Sequence, residues 1–180
     1  MYYGNIKRCD VANGRGVRTS LFVSGCTHCC EGCFNPETWD FKYGQEYTEE
    51  TKNKLLEECK PPYIAGLTIL GGEPLEPANQ RALVPLLKEF KELYPQKDIW
   101  IYTGYTYETD VKAPSGKVHT EVTDELLSYV DILVDGEFIM DKKNVGLHFR
   151  GSENQHVINV KTGEYLYTED LEEKKGNGDD

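Results

Sequence analysis

The sequence predicts an α/β fold in which parallel strands are covered by helices and joined by right-handed crossovers. Two observations carry this expectation. Segments of strand and helix character alternate along the chain, and each strand-type segment runs into a loop marked by glycine. With 180 residues and no Pro/Gly/Ser-rich divider, the chain is read as one domain over 1–168, followed by an acidic, Gly-rich tail over 169–180. The length falls short of the ~250 residues of a complete eight-unit barrel, so the expected architecture is a partial, open TIM-like β/α barrel with parallel strands.

Val17 to Ser24 is rich in β-branched and apolar residues and ends at Gly25, which makes it a buried strand leading into a loop. From Thr48 to about Lys60, the residues Leu55, Leu56 and Cys59 recur at helical spacing until Pro61 and Pro62 stop the helix. Ile64 to Leu70 is a second strand, ended by Gly71-Gly72-Glu73-Pro74. A second helix is expected from Pro77 to Tyr94, with Leu83, Leu86, Leu87, Phe90 and Tyr94 on one face and Pro85 as a kink or a delayed start. Asp98 to Thr103 is a third strand closed by Gly104, and Tyr105 to His119 is polar and irregular. Thr123 is placed to cap a short helix bearing Leu126, Leu127 and Val130, and Asp131 to Asp135 is a fourth strand ended by Gly136. A last strand is expected at His156 to Val160, before a turn at Lys161 to Glu164.

A formal net charge of −11 repels nucleic-acid phosphates, so no direct nucleic-acid partner is expected. The opening MYYGNIKRCD has no basic region leading into an apolar run, and no apolar stretch approaches the ~20 residues that span a bilayer. The expectation is a cytoplasmic protein without a membrane partner.

A chain of this length buries a core without disulfide staples, so its six cysteines need another explanation. Cys26, Cys29, Cys30 and Cys33 crowd into eight residues, whereas a disulfide framework spreads its cysteines to tie distant segments. The crowding favours metal. The group parses as two abutting C-x-x-C units, or as C-x3-C-x2-C with Cys29 left over. One zinc ion on all four thiolates fits poorly, because structural zinc sites usually place ~12 or more residues between their Cys pairs. A plain iron-sulfur electron carrier needs four protein ligands per cluster, and Cys9 and Cys59 have no supporting spacing. Three ligands instead leave one iron open. The loops after the four strands hold these cysteines, Gly71 to Pro74, Thr103 to Tyr105 and Asp135-Gly136, where ligand sites of parallel sheets lie.

The loop Gly25-Cys-Thr-His-Cys-Cys-Glu-Gly-Cys-Phe-Asn35 resembles the cluster loop of the radical S-adenosylmethionine enzymes. Within them it is most similar to the activating proteins of anaerobic ribonucleoside-triphosphate reductases. The similarity includes Asn13-Gly-Arg-Gly16, Leu21 to Gly25, Thr38-Trp39, Gly71-Gly-Glu-Pro74, Ile99 to Tyr105, Val134-Asp-Gly136 and Phe149-Arg-Gly-Ser152, and it spans about residues 13 to 160. It implies a 4Fe-4S cluster on Cys26, Cys30 and Cys33, with S-adenosylmethionine on the open iron. It also implies that Gly71 and Gly72 lie at the methionine amino group, with Glu73 or nearby carbonyls as acceptors, and that Thr103 faces the cofactor. Many relatives carry an aromatic residue before the third cysteine to pack against adenine; here that position is Gly32, the backbone groups of Gly32 and Phe34 are the candidate substitutes, and Cys33 joins them among the cofactor-binding residues that the resemblance implies.

Cys29 departs from the family pattern and is read as a bystander. Asp135 is read as a strand-ending turn ahead of a ribose acceptor, and Arg150 as the partner of a carboxylate or a surface salt bridge. The four histidines show no ligand spacing and are read as structural or exposed, and Trp39, Tyr105 and Tyr107 as packing. The activity implied begins with a reduced cluster, fed by a flavodoxin-like or other low-potential donor, that cleaves S-adenosylmethionine into methionine and a 5′-deoxyadenosyl radical. That radical takes a glycine hydrogen from the large catalytic subunit of anaerobic ribonucleotide reductase. The alternatives are activation of another glycyl radical enzyme, radical chemistry on a small molecule, a zinc-binding module and an iron-sulfur electron carrier.

Overall fold

Buried apolar side chains set the central strands of the computed structural model, which describes residues 1–167. Tyr2–Asp10 (β1), Val17–Val23 (β2), Gln45–Glu46 (β3), Ile64–Gly71 (β4), Asp98–Tyr102 (β5), Ile132–Asp135 (β6), His156–Asn159 (β7) and Tyr165–Leu166 (β8) form one sheet. Its order is β3-β1-β2-β4-β5-β6-β7-β8, with β3 and β8 at the two edges, so the sheet is open. The middle of the sheet, β2-β4-β5-β6, is parallel throughout. On its flanks β1 pairs antiparallel with β2 and β3, and β7 antiparallel with β6 and β8. The expectation of parallel strands therefore holds for the centre and is corrected at both edges, where the joining segments carry no crossover helix. The acidic tail expected over 169–180 lies outside the described residues.

Glu49–Glu58 (α1), Pro77–Leu93 (α2) and Thr123–Tyr129 (α3) supply the crossovers. Thr48 caps α1 in a reciprocal arrangement with Thr51, each side chain taking the other's backbone N–H. Pro77 starts α2, and Pro85 lies inside it. Thr123 is not the cap of α3; that place falls to Val122, with no side-chain bond. The Thr123 hydroxyl instead donates to Gln80 Oε1 at 2.6 Å, which ties α3 to α2 in the interior. The stretch read as irregular contains a π-helical turn at Tyr107–Lys112.

Leu21, Val23, Leu67, Ile69, Ile99, Ile101 and Leu133 share one buried cluster with Leu55 of α1, Leu87 and Phe90 of α2 and Leu126 of α3. Each such side chain contributes about 1.5–3 kcal/mol by leaving water. The alternate residues on the same strands are of another kind, because Arg18, Ser20, Thr68, Trp100 and Tyr102 interleave with them. Arg18 is fully buried. Its guanidinium donates to Thr68 Oγ1 (2.7 Å), Arg15 O (3.0 Å) and Leu67 O (3.1 Å), pairs with Asp98 Oδ1 (2.7 Å) and lies 5.4 Å from the Trp100 ring centre. A charge is tolerated there because its donors are occupied.

Candidate functional site

The loop after β2 is shaped before any ligand is considered. Gly25 turns it with φ +99°, and a Cβ at that position would lie 2.4 Å from the Phe41 ring. Gly25 N donates to Thr38 O (2.8 Å) and Cys26 N to Trp39 O (3.3 Å), which folds the 3-10 turn Pro36–Trp39 against the start of the cysteine segment. Gly72 N donates to Val23 O (2.8 Å) and Glu73 N to Gly25 O (2.7 Å), so the loop after β4 lies directly on the loop after β2. A Cβ on Gly72 would meet Gly25 O at 2.7 Å and Thr38 O at 2.9 Å. The paired glycines thus admit a neighbouring backbone, besides any ligand that reaches them.

Together these loops wall one cavity beyond the carboxyl ends of β2, β4 and β5. Of the residues predicted from sequence, Cys26, Cys30, Cys33, Phe34, Gly71, Gly72, Glu73 and Thr103 line it. Gly32 does not; it is exposed, its φ is +73°, and a Cβ there would sit 2.0 Å from Met140 Cε. Phe34 is 69% exposed and stands 5.4 Å from Phe138, ring centre to ring centre. Cys29 is exposed, adopts φ +51° and is not among the walls. Among the described residues no three Cys, His, Asp or Glu side chains converge on a point that would hold a single metal ion.

Burial pushes the Cys26 thiol up to about 12, and the Glu73 charge adds to the shift. Burial raises Cys30 to about 11, aided by Glu137, whose carboxylate lies 3.5 Å from the Cys30 sulfur. Both thiols hold their protons at neutral pH. Metal must displace those protons, so loading becomes harder as pH falls.

Glu73 is the hub of the site. Only 1% exposed, its carboxylate accepts from Thr103 Oγ1 (2.8 Å) and Leu75 N (2.9 Å) on Oε1, and from Gly104 N (2.7 Å) on Oε2; His28 Nε2 lies 2.9 Å from Oε2. One side chain thereby joins the loops after β2, β4 and β5. The hydrogen bond to Glu73 raises the His28 pKa above its ordinary value. The His28 ring also lies against Tyr105, with centres 4.3 Å apart and the planes tilted by 55°. The Glu73 carboxylate and the Thr103 hydroxyl are thus engaged within the protein, as is the Glu73 carbonyl, which accepts from Glu76 N (3.2 Å) and Asn79 Nδ2 (3.0 Å). Glu76 Oε1 makes a second tie, taking Thr27 N (3.0 Å), Thr27 Oγ1 (2.7 Å) and Tyr105 Oη (3.3 Å).

Asp135 is 2% exposed and accepts from Tyr107 N (2.8 Å) and His156 N (3.2 Å), which makes it an internal acceptor at the end of β6. Arg150 donates to the Gln155 carbonyl at 2.6 Å and to the Glu153 carbonyl at 3.4 Å. Sequence reasoning missed His28, Glu76, Trp39 and Tyr102 as parts of the site. The one available signal was that each stands within or beside a strand-end loop.

The family described as "4Fe-4S single cluster domain" matches residues 12–158. A Vibrio cholerae protein named anaerobic ribonucleoside-triphosphate reductase-activating protein is 42% identical over 160 residues, covering 87% of this chain and 97% of that protein. Its namesake from Enterobacteria phage T4 is 41% identical over 87% of this chain and 93% of its own length. The Escherichia coli K12 namesake is 34% identical over 89% of this chain and all of its own length. A cavity walled by three cysteines, on a chain matched over 87–89% of its length by these proteins, shows that the chain belongs to the family of anaerobic ribonucleoside-triphosphate reductase-activating proteins.

Proposed function

We propose that this chain activates an anaerobic ribonucleoside-triphosphate reductase by generating a glycyl radical on its large catalytic subunit. The observation that carries the reading is the placement of Cys26, Cys30 and Cys33 around one cavity in a chain of this family. A lone tetrahedral ion needs thiolates that meet at a point, whereas a 4Fe-4S cluster takes each thiolate on a separate iron. Three sulfurs around a shared space suit the second arrangement. Loaded with a 4Fe-4S cluster and S-adenosylmethionine, the site would supply the one-electron radical chemistry that removes hydrogen from a glycine of the reductase.

The chain's own tasks are then binding, orientation and exclusion of water, since the cofactor carries the radical chemistry. Cys26, Cys30 and Cys33 would hold the cluster, and S-adenosylmethionine would bind beside it in the same cavity. Carbonyls at Gly71 and Gly72 would receive the amino group, and Glu73 itself fixes the loops that form the cavity. Gly32 and Phe34 lie at the rim, beside Phe138 and Met140, and are read as the adenine side. The open sheet is read as a partial TIM-like β/α barrel with its site at the carboxyl end of the parallel strands. A flavodoxin-like or other low-potential protein is the electron donor. Among the described residues no helix is long and apolar enough to cross a membrane, and six free cysteines suit a reducing cytoplasm.

The test is transfer. Anaerobically reconstituted protein, mixed with the reductase large subunit, dithionite and S-adenosylmethionine, is expected to produce the electron paramagnetic resonance signal of a glycyl radical on the reductase. A mixture that holds a loaded cluster and yields no such signal would count against the reading.

A further inference from the structure

The chain between β6 and β7, residues 136–155, carries only the 3-10 turn Met140–Lys142. Connections of that length without regular structure are uncommon in compact domains, and they are usually functional. This one is knit by its own hydrogen bonds. Gln155 Oε1 accepts from Gly151 N (2.8 Å) and Ser152 N (3.0 Å), and Gln155 Nε2 donates to Gly136 O (2.9 Å). Ile139 N donates to Ser152 Oγ (3.3 Å) and Asn144 N to Gly151 O (3.1 Å). Rings attach the loop to the rest of the chain, with Phe149 edge-on to Trp100 at 5.2 Å and Phe138 at 5.4 Å from Phe34. Gly136, Phe138 and Gln155 wall the cavity that Cys26, Cys30 and Cys33 share.

The residues that secure the loop are thus accounted for, and a second set is not. Ile139 and Met140 are exposed, and Val145 is 92% exposed. Met140 Cε lies against Gly32, next to Cys33, so this apolar surface begins at the mouth of the cavity. The exposed Phe34 ring continues it, with Lys143 Nζ 5.7 Å from the ring centre. Apolar side chains gathered in solvent mark a contact with another macromolecule, and aromatic residues and Met are enriched at protein–protein interfaces. The chain carries a net charge of −11, yet within 137–154 Lys142, Lys143 and Arg150 balance Glu137, Asp141 and Glu153. A protein partner approaches this segment without the repulsion that an acidic surface exerts on another.

We infer that this loop is the docking surface for the polypeptide of the reductase large subunit that carries the target glycine, with Met140 and Val145 as its exposed contacts. The inference rests on the proposed activity and locates its partner. Hydrogen moves only between atoms in near contact, so the glycine must reach the cavity and its flanking chain must lie over the rim. Phe138, Met140 and Phe34 are that rim.

Met140→Asp and Val145→Asp put a charge on the apolar surface. Tyr63→Asp is the control, since Tyr63 is exposed just before β4 and lies at the opposite end of the parallel strands from the cavity. The rate of glycyl radical formation is followed by electron paramagnetic resonance against reductase concentration, on anaerobically reconstituted protein. Melting temperature and partner-free release of 5′-deoxyadenosine are recorded alongside. Each loop variant is expected to need roughly 10-fold more reductase for half-maximal rate, with parental melting and partner-free release, while Tyr63→Asp matches the parent throughout. Parental half-saturation in either loop variant overturns the assignment for that residue. An equal loss in Tyr63→Asp, or a matching fall in partner-free release, overturns the inference. A parent that sediments as a dimer, dissociated by Val145→Asp, gives the surface to a second copy of this chain and overturns it as well. If the parent releases 5′-deoxyadenosine and forms no glycyl radical at any reductase concentration, the proposed activity fails instead.

Discussion

Replacing Cys30 with Ser is expected to leave a folded protein that holds no intact cluster, with activity down by more than ~100-fold, whereas Cys29→Ser keeps both. The two cysteines are adjacent in sequence and differ in placement. Cys30 is part of the cavity wall with Cys26 and Cys33, while Cys29 turns outward through a left-handed backbone and is exposed. A serine hydroxyl ionises far less readily than a thiol and is a harder donor, so it replaces an iron-bound thiolate poorly. Neither substitution removes core volume, and the melting temperature of the metal-free protein should barely move. Iron content and 5′-deoxyadenosine release measure the outcome. Loss on Cys29→Ser with retention on Cys30→Ser would reverse the assignment of the third ligand.

Glu73→Gln is expected to lower stability by about 2–4 kcal/mol, because a buried charge-assisted network loses one of its two acceptor oxygens. In a chain of this size that corresponds to a melting temperature lower by roughly 4–16 °C. The carboxylate serves Thr103, Leu75 and Gly104 as acceptor and contacts His28, and it is 1% exposed. An amide keeps one oxygen and turns an NH2 toward groups that themselves donate. His28→Gln should be milder, since glutamine retains a donor within reach of Glu73. Urea denaturation of the metal-free protein reads the effect without involving the cluster. Parental stability in Glu73→Gln, joined to lost S-adenosylmethionine affinity, would return the carboxylate to the cofactor and contradict its role as a loop tie.

The centre of the fold was legible because its strands are buried and bounded. Val17–Val23, Ile64–Gly71, Asp98–Tyr102 and Ile132–Asp135 all carry short apolar runs that end at a glycine or near one, and the helices between them repeat leucine at helical spacing. Tyr2–Asp10 was not legible. It holds exposed Gly4, Asn5, Lys7 and Arg8 and owes its extended form to its neighbours β2 and β3, not to an apolar period of its own. Thr123 misled because a threonine before an apolar helix fits a cap as well as it fits an interior hydroxyl, and only the position of Gln80 on α2 decides between them.

At the site, cysteine spacing and the Gly71-Gly72-Glu73 segment are chemical signals that survive in one dimension. The tie from His28 to Glu73 spans 45 residues, and Trp39 and Tyr102 lie 63 positions apart (102 − 39), so neither grouping leaves a local pattern. Aromatic residues are also ambiguous in sequence, since most of them pack.

Release of 5′-deoxyadenosine bears most directly on an iron left open by three cysteines. Protein reconstituted without air should be brown, carry about four irons per chain, and release 5′-deoxyadenosine when given dithionite and S-adenosylmethionine. A colourless protein holding one zinc ion, or a full cluster that leaves S-adenosylmethionine intact under reduction, would contradict it.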